Sequence, residues 1–108
     1  MSDLQKITGD NWEGFLHAKT AILIIERNDC QACLSWSKEL ESLTLKAPIN
    51  IGKLNLDDIG LGRFKIEHNW VSDIDVLPFN TIFVEGEMKE HWAGGGLERL
   101  QNRLNRYV

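Results

Sequence analysis

Cysteine is scarce in this 108-residue sequence: there are two, held close together as Cys30-Gln31-Ala32-Cys33. Two cysteines exclude a disulfide-stapled scaffold, and with 43% apolar residues the chain can build a core without staples. Proline occurs only at Pro48 and Pro78, and no repeat, linker or low-complexity stretch is present. No apolar run approaches the length of a membrane span. Basic charge is in deficit, with 12 Lys and Arg against 16 Asp and Glu and a net charge of −4, which argues against a nucleic-acid partner. Arg99, Arg103 and Arg106 fall at helical spacing near the end of the chain and read as a solvated face. His17, His68 and His91 are scattered, and no second Cys-x-x-Cys exists, so neither a metal nor another cofactor is expected. The opening residues, Met1 to Lys6, lack the charged-then-apolar pattern of a secretory leader. The expectation is a monomeric cytoplasmic protein with one domain over residues 1–108. In a reducing compartment, cysteines at this spacing serve catalysis or metal binding rather than stapling.

Leu4 to Ile7 reads as a short edge strand. Thr8-Gly9-Asp10 is turn chemistry, and the spacing of Trp12, Phe15 and Leu16 predicts a helix over about Asp10 to Ala18. Ala21 to Ile25 is an unbroken β-branched and aliphatic run, as suits a strand covered on both faces. Cys33, Trp36, Leu40 and Leu43 mark the buried stripe of a helix from Gln31 to about Lys46, closed by Pro48. Ile49 to Leu56 reads as a second central strand. Leu61 to Trp70 is a short, imperfect helix with Leu61, Phe64, Ile66 and Trp70 available for burial, and Val71 to Val76 is a connector. Asn80 to Val84 and Met88 to Ala93 form a hairpin about Glu85-Gly86-Glu87. Gly94-Gly95-Gly96 breaks the second strand, and Leu97, Leu100, Leu104 and Tyr107 mark a last amphipathic helix. Trp36 reads as core, and Trp92 reads as core with a groove wall as the alternative. The order β-α-β-α-β-α-β-β-α predicts an α/β fold, a mixed sheet with helices on both faces.

These residues resemble the thioredoxin family over nearly the whole chain. The resemblance rests on a strand leading to Cys30-x-x-Cys33, the strand Lys53-Leu54-Asn55-Leu56-Asp57, Leu77-Pro78 before a hairpin, and glycines ahead of the last helix. It implies the thioredoxin-like fold and thiol–disulfide exchange with a disulfide-containing protein, with a reductase as electron donor. It also implies a cis Leu77–Pro78 bond beside the cysteines, and backbone contacts from Leu77 and a glycine, nearest Gly94, to an extended partner. The departures are Asp29 where the family usually has Trp, Gln31-Ala32 for its Gly-Pro, and Ile24 for its buried acid. The nearest acid is Glu26, on the same strand face as Ile24 if the strand stays regular.

A disulfide is exchanged by thiolate attack through a mixed disulfide. Cys30, at the predicted helix N-terminus, lies where unpaired N–H groups favour an anion and is assigned as nucleophile. Cys33, one turn on, is assigned as the resolving thiol. Asp29 opposes the Cys30 thiolate, and so the pair is expected to act as a reductant rather than an oxidant. Glu26 is a candidate proton acceptor for Cys33, with Arg27 as its possible ion partner; the alternative is a strand-end surface carboxylate. A rival reading of the whole chain is a thioredoxin-fold binding or scaffold module with little redox turnover.

Overall fold

In a computed structural model, which describes residues 4–45 and 49–108, one strand is the centre of the architecture. Strand β2 (Thr20–Glu26) is buried at every position but its last. Ala21, Leu23 and Ile25 enter one apolar cluster, and Ile22 and Ile24 enter another. A strand apolar on both faces has to lie inside a sheet with layers above and below. It pairs parallel with β3 (Ile49–Asn55) and antiparallel with β4 (Phe79–Val84). The edges are β1 (Leu4–Ile7), parallel to β3, and β5 (Glu87–Ala93), antiparallel to β4. The order is β1-β3-β2-β4-β5.

Helices cover both faces, as the residue pattern predicts. Helix α1 (Trp12–Leu16), helix α3 (Gly62–Glu67) and a 3₁₀ turn (Asn69–Asp73) bury Trp12, Phe15, Phe64 and Val71 against the Ala21, Leu23 and Ile25 side. Helix α2 (Gln31–Glu41) and helix α4 (Leu97–Leu104) bury Trp36, Leu40, Leu100 and Leu104 against the Ile22 and Ile24 side. The β4–β5 hairpin turns on Glu85 and Gly86, both at positive φ, the geometry that matches strand twist.

Local expectations fail where side chains compete with the helix pattern. Helix α1 begins at Trp12, not Asp10, because Asn11 folds back: its Oδ1 accepts from the Thr8 N–H and its Nδ2 donates to the Lys6 carbonyl. Helix α2 ends at Glu41 rather than Lys46. There the Ser42 hydroxyl donates to the Glu39 carbonyl at 2.7 Å and the chain tightens into an i−3 bond from the Leu43 N–H to the Leu40 carbonyl. Leu43 is still buried, while Lys46 and Pro48 lie outside the described residues. Ile66 is 78% exposed, correcting its place among the core candidates. It sits two residues from the buried Phe64, which puts it on the far side of the short helix.

The three arginines of the last segment are not a merely solvated face. Arg103 and Arg106 both pair with Glu90, and Arg103 also lies 4.7 Å from the Trp92 ring centroid. The Tyr107 hydroxyl donates to the same carboxylate at 2.6 Å; this bond, then the Arg106 charge, holds Glu90 below the usual carboxylate range against the opposing effect of desolvation. Arg99 turns to the glycine segment described below.

Candidate active site

The chain leaves β2 at Glu26, crosses Arg27-Asn28-Asp29 and enters α2 at Cys30. Asp29 has φ 58°, in the left-handed region that Asp and Asn tolerate better than most residues, and this residue makes the sharp strand-to-helix turn. Cys30 is the N-cap of α2 and is disulfide-bonded to Cys33, with 5.2 Å between their Cα atoms. The Cys33 N–H donates to Cys30 Sγ at 3.1 Å, so a free helix N–H points at that sulfur. Cys30 is half-exposed, whereas Cys33 is 3% exposed. The two sulfurs are therefore inequivalent: one is open to a partner and the other is sheltered behind it.

The turn before Cys30 is tied down from the end of β3. Asp57 accepts from the Arg27 guanidinium and from the Asn28 N–H, both at 2.8 Å. Asn55 Nδ2 donates to Asn28 Oδ1 at 2.9 Å, and Asn55 Oδ1 accepts from the Asp57 N–H. The Leu56 N–H donates to the Glu26 carbonyl. The sequence pattern does not mark Asn28, Asn55 and Asp57 as the residues that hold this turn. The one local signal is that Asn55 and Asp57 sit where a parallel strand ends beside the cysteine loop.

Glu26 lines the same open cleft as both cysteines, about 570 Å³ in volume, together with Asn28, Lys53 and Asn55. Its side chain is 12% exposed, and Lys53 Nζ stands 3.9 Å from its Oε2. The expected Arg27 partner is corrected here: Arg27 pairs with Asp57 instead. Neighbours along an extended segment point apart. Lys53 reaches Glu26 because the β2–β3 register sets Lys53 opposite Ile24 and Asn55 opposite Glu26.

Leu77, Pro78 and Gly94 form a second group, and none of them lines the cleft with Glu26. The Leu77–Pro78 peptide is cis, Pro78 is buried and Leu77 is half-buried. The Gly94 N–H donates to the Pro78 carbonyl at 2.7 Å. Gly94 has φ 91°, a conformation that favours glycine. Arg99 Nη2 donates to the carbonyls of Ala93 at 2.6 Å and Gly95 at 3.1 Å. Asn80, fully buried in β4, donates to the Gly94 carbonyl at 2.7 Å and accepts from Trp36 Nε1 at 2.8 Å. A Cβ on Gly95 would meet the Trp36 ring at 3.2 Å, so this glycine admits the close approach. Trp36, one turn beyond Cys33, thus joins the cysteine helix to the glycine segment. Asn80 and Arg99 hold this glycine segment in place, a task that periodicity does not reveal.

Among the described residues no group of three or more His, Cys, Asp or Glu comes together as a metal site, and no helix is long and apolar enough to cross a membrane.

A half-exposed and a buried cysteine joined at the start of a helix, on a mixed five-stranded sheet with helices on both faces, define a class of fold. It is the thioredoxin fold. The structure is similar to spinach chloroplast thioredoxin f in its long form, with a TM-score of 0.80 at 16% identity over 97% of this chain and 86% of that one. It is similar to Chlamydomonas reinhardtii thioredoxin f2, with a TM-score of 0.76 at 15% identity over 96% and 95% of the two chains. Thioredoxin O2 from Arabidopsis thaliana in its oxidised state gives 0.75 at 18% identity over 99% and 96%. No protein-family model matches the sequence, and neither does any curated protein.

Proposed function

We propose that this protein is a thiol–disulfide oxidoreductase that reduces disulfides in client proteins. The reading is carried by the Cys30–Cys33 disulfide at the N-cap of α2, with one sulfur accessible and one sheltered. In the reduced protein, the Cys30 thiolate attacks a client disulfide. A bond forms between Cys30 Sγ and one client sulfur, the client's S–S bond breaks, and the departing sulfur takes a proton from solvent. Cys33 then passes its proton to Glu26 and attacks Cys30 Sγ; the Cys30–client S–S bond breaks, and the second client sulfur leaves as a thiolate that takes a proton from solvent. Two electrons have moved from the dithiol to the client, and a reductase of the same cytoplasmic compartment returns them. Leu77 and Gly94 hold the client backbone.

Asp29 directs the exchange towards reduction. A fixed negative charge beside Cys30 disfavours its thiolate, and a less stable reduced form makes a stronger reductant.

The test has two parts. Pre-reduced protein should reduce insulin disulfides while two thiols disappear, and both should return on treatment with dithiothreitol. Cys33→Ser should stall as a mixed disulfide between Cys30 and the client. A cysteine pair that never cycles would leave a binding module on this fold in place of an enzyme.

A further inference from the structure

A second concavity lies beside the proposed client-contact residues and outside the cysteine cleft. It is about 450 Å³ in volume, a size suited to a large side chain and its neighbours. Trp70, Ile74, Phe79 and Met88 give it half-buried apolar walls. Those walls are held in shape by ring contacts: Phe79 meets Trp70 at 5.9 Å between centroids and stacks on His91 at 5.8 Å. Asp73 and Asp75 also line it, both exposed, and neither carboxylate has an ion pair or hydrogen bond among the described residues. No Lys or Arg lines it.

Its position in the chain connects it to the chemistry. Val76 precedes Leu77, Phe79 follows Pro78 and Ala93 precedes Gly94, and all three line the pocket. An extended client lying along Leu77 and Gly94 advances about 3.3 Å per residue, so a side chain within a few residues of the reacting cysteine reaches this wall. Val76 is 54% exposed, an apolar residue left uncovered at that junction.

We propose that this pocket selects clients, taking an aromatic or long aliphatic side chain that is adjacent in sequence to Arg or Lys. The apolar walls take the first, and the unpaired Asp73 and Asp75 take the second. This inference rests on the oxidoreductase reading above, since it names the client class for that site.

The test uses the full chain, pre-reduced, with short synthetic peptides that each carry one cysteine as a mixed disulfide with a chromogenic thiol. Phe-Arg, Phe-Glu, Ala-Arg and Ala-Ala pairs are placed in turn at each of the four positions on either side of the cysteine. On one side, Phe-Arg should exceed Ala-Ala by about tenfold in kcat/KM, expressed in KM. Asp73→Asn with Asp75→Asn should remove the advantage of Arg over Glu, about threefold for exposed charges, and leave the Phe advantage standing. Val76→Ser should reduce the Phe advantage. Raising the salt concentration should shrink only the Arg component. Turnover with no preference for Phe at any position, or an Arg preference untouched by the double substitution, would overturn the proposal. Absence of turnover with every peptide would instead overturn the oxidoreductase reading. In that case amide shifts on titrating the serine-for-cysteine Phe-Arg peptide decide the pocket separately: changes centred on residues 70–79 and 88–94 support it, and their absence rejects it.

Discussion

Trp36 Nε1 donates to Asn80 Oδ1 at 2.8 Å, inside the core and 44 residues apart in the chain. The other end of the same amide donates to the carbonyls of Trp92 at 3.2 Å and Gly94 at 2.7 Å. One buried side chain therefore fixes the helix that carries the cysteines against the segment that carries Gly94. A buried amide is stabilising only while its partners are all in place.

Asn80→Leu keeps the branched outline of the side chain, with bulkier methyl ends, and removes all of these bonds at once. It leaves the indole N–H of Trp36 buried without its partner, and the loss should be about 2–4 kcal/mol. Urea unfolding should show a lower midpoint with an unchanged slope. Peptide reduction should also weaken through KM, because the Gly94 segment loses its inner anchor. A midpoint within error of the parent would mean that solvent satisfies these groups and that Asn80 is not an anchor.

Glu26→Gln removes the proposed proton acceptor but keeps its shape. Rapid-quench kinetics on a fluorescent mixed disulfide should show slower client release by Cys33, on the order of tenfold, with the Cys30 attack unchanged. Lys53→Met should have a smaller effect, since its 3.9 Å pair with Glu26 is partly exposed. Release at the parental rate in Glu26→Gln would return this residue to the class of strand-end carboxylates.

Much of the framework is legible in the residues because it obeys short periods. Ala21 to Ile25 announces a two-faced strand, and Cys33, Trp36, Leu40 and Leu43 repeat at helical spacing and are buried together. What escapes is set by register. Lys53 meets Glu26 because of the parallel β2–β3 alignment, and Asn80 meets Trp36 because α2 packs on the β4 face that carries Asn80. Arg99 has the spacing of a solvated helix face, yet its guanidinium caps the carbonyls on either side of Gly94. Nothing local marks Val71 to Val76 as more than a connector, because its pocket exists only once the hairpin lies beside it.

Asp57→Ala tests the anchorage of the turn before Cys30. The Arg27 ion pair is half-exposed and contributes little, so the main loss is the charge-assisted bond from the Asn28 N–H. The expected loss is about 1–2 kcal/mol, and Asp57→Asn should recover most of it by keeping an acceptor. Hydrogen exchange at Asn28 should quicken in the alanine variant. If it stays at the parental rate, Asn55 alone is enough to hold the turn.

His68 gives the stability a pH dependence with a defined sign. Burial lowers its pKa from the ordinary value of 6.5, with the adjacent Glu67 charge pulling weakly the other way. Its ring lies among Trp12, Phe64, Trp70 and Phe83, whose side chains offer no carboxylate or carbonyl to accept from an added proton. As pH falls, the unfolded chain binds the proton first. The contribution is therefore complete above 6.5 and is lost as pH descends through the lower folded value. Glu90 behaves in the same sense but in a separate window, complete above its ordinary 4.5 and lost below it. Thermal melts should thus show two declines on acidification, the first beginning just under neutrality. His68→Phe fills the aromatic site without titrating and should erase the first decline while sparing the second. Two unchanged declines in that variant would assign the near-neutral one to another group.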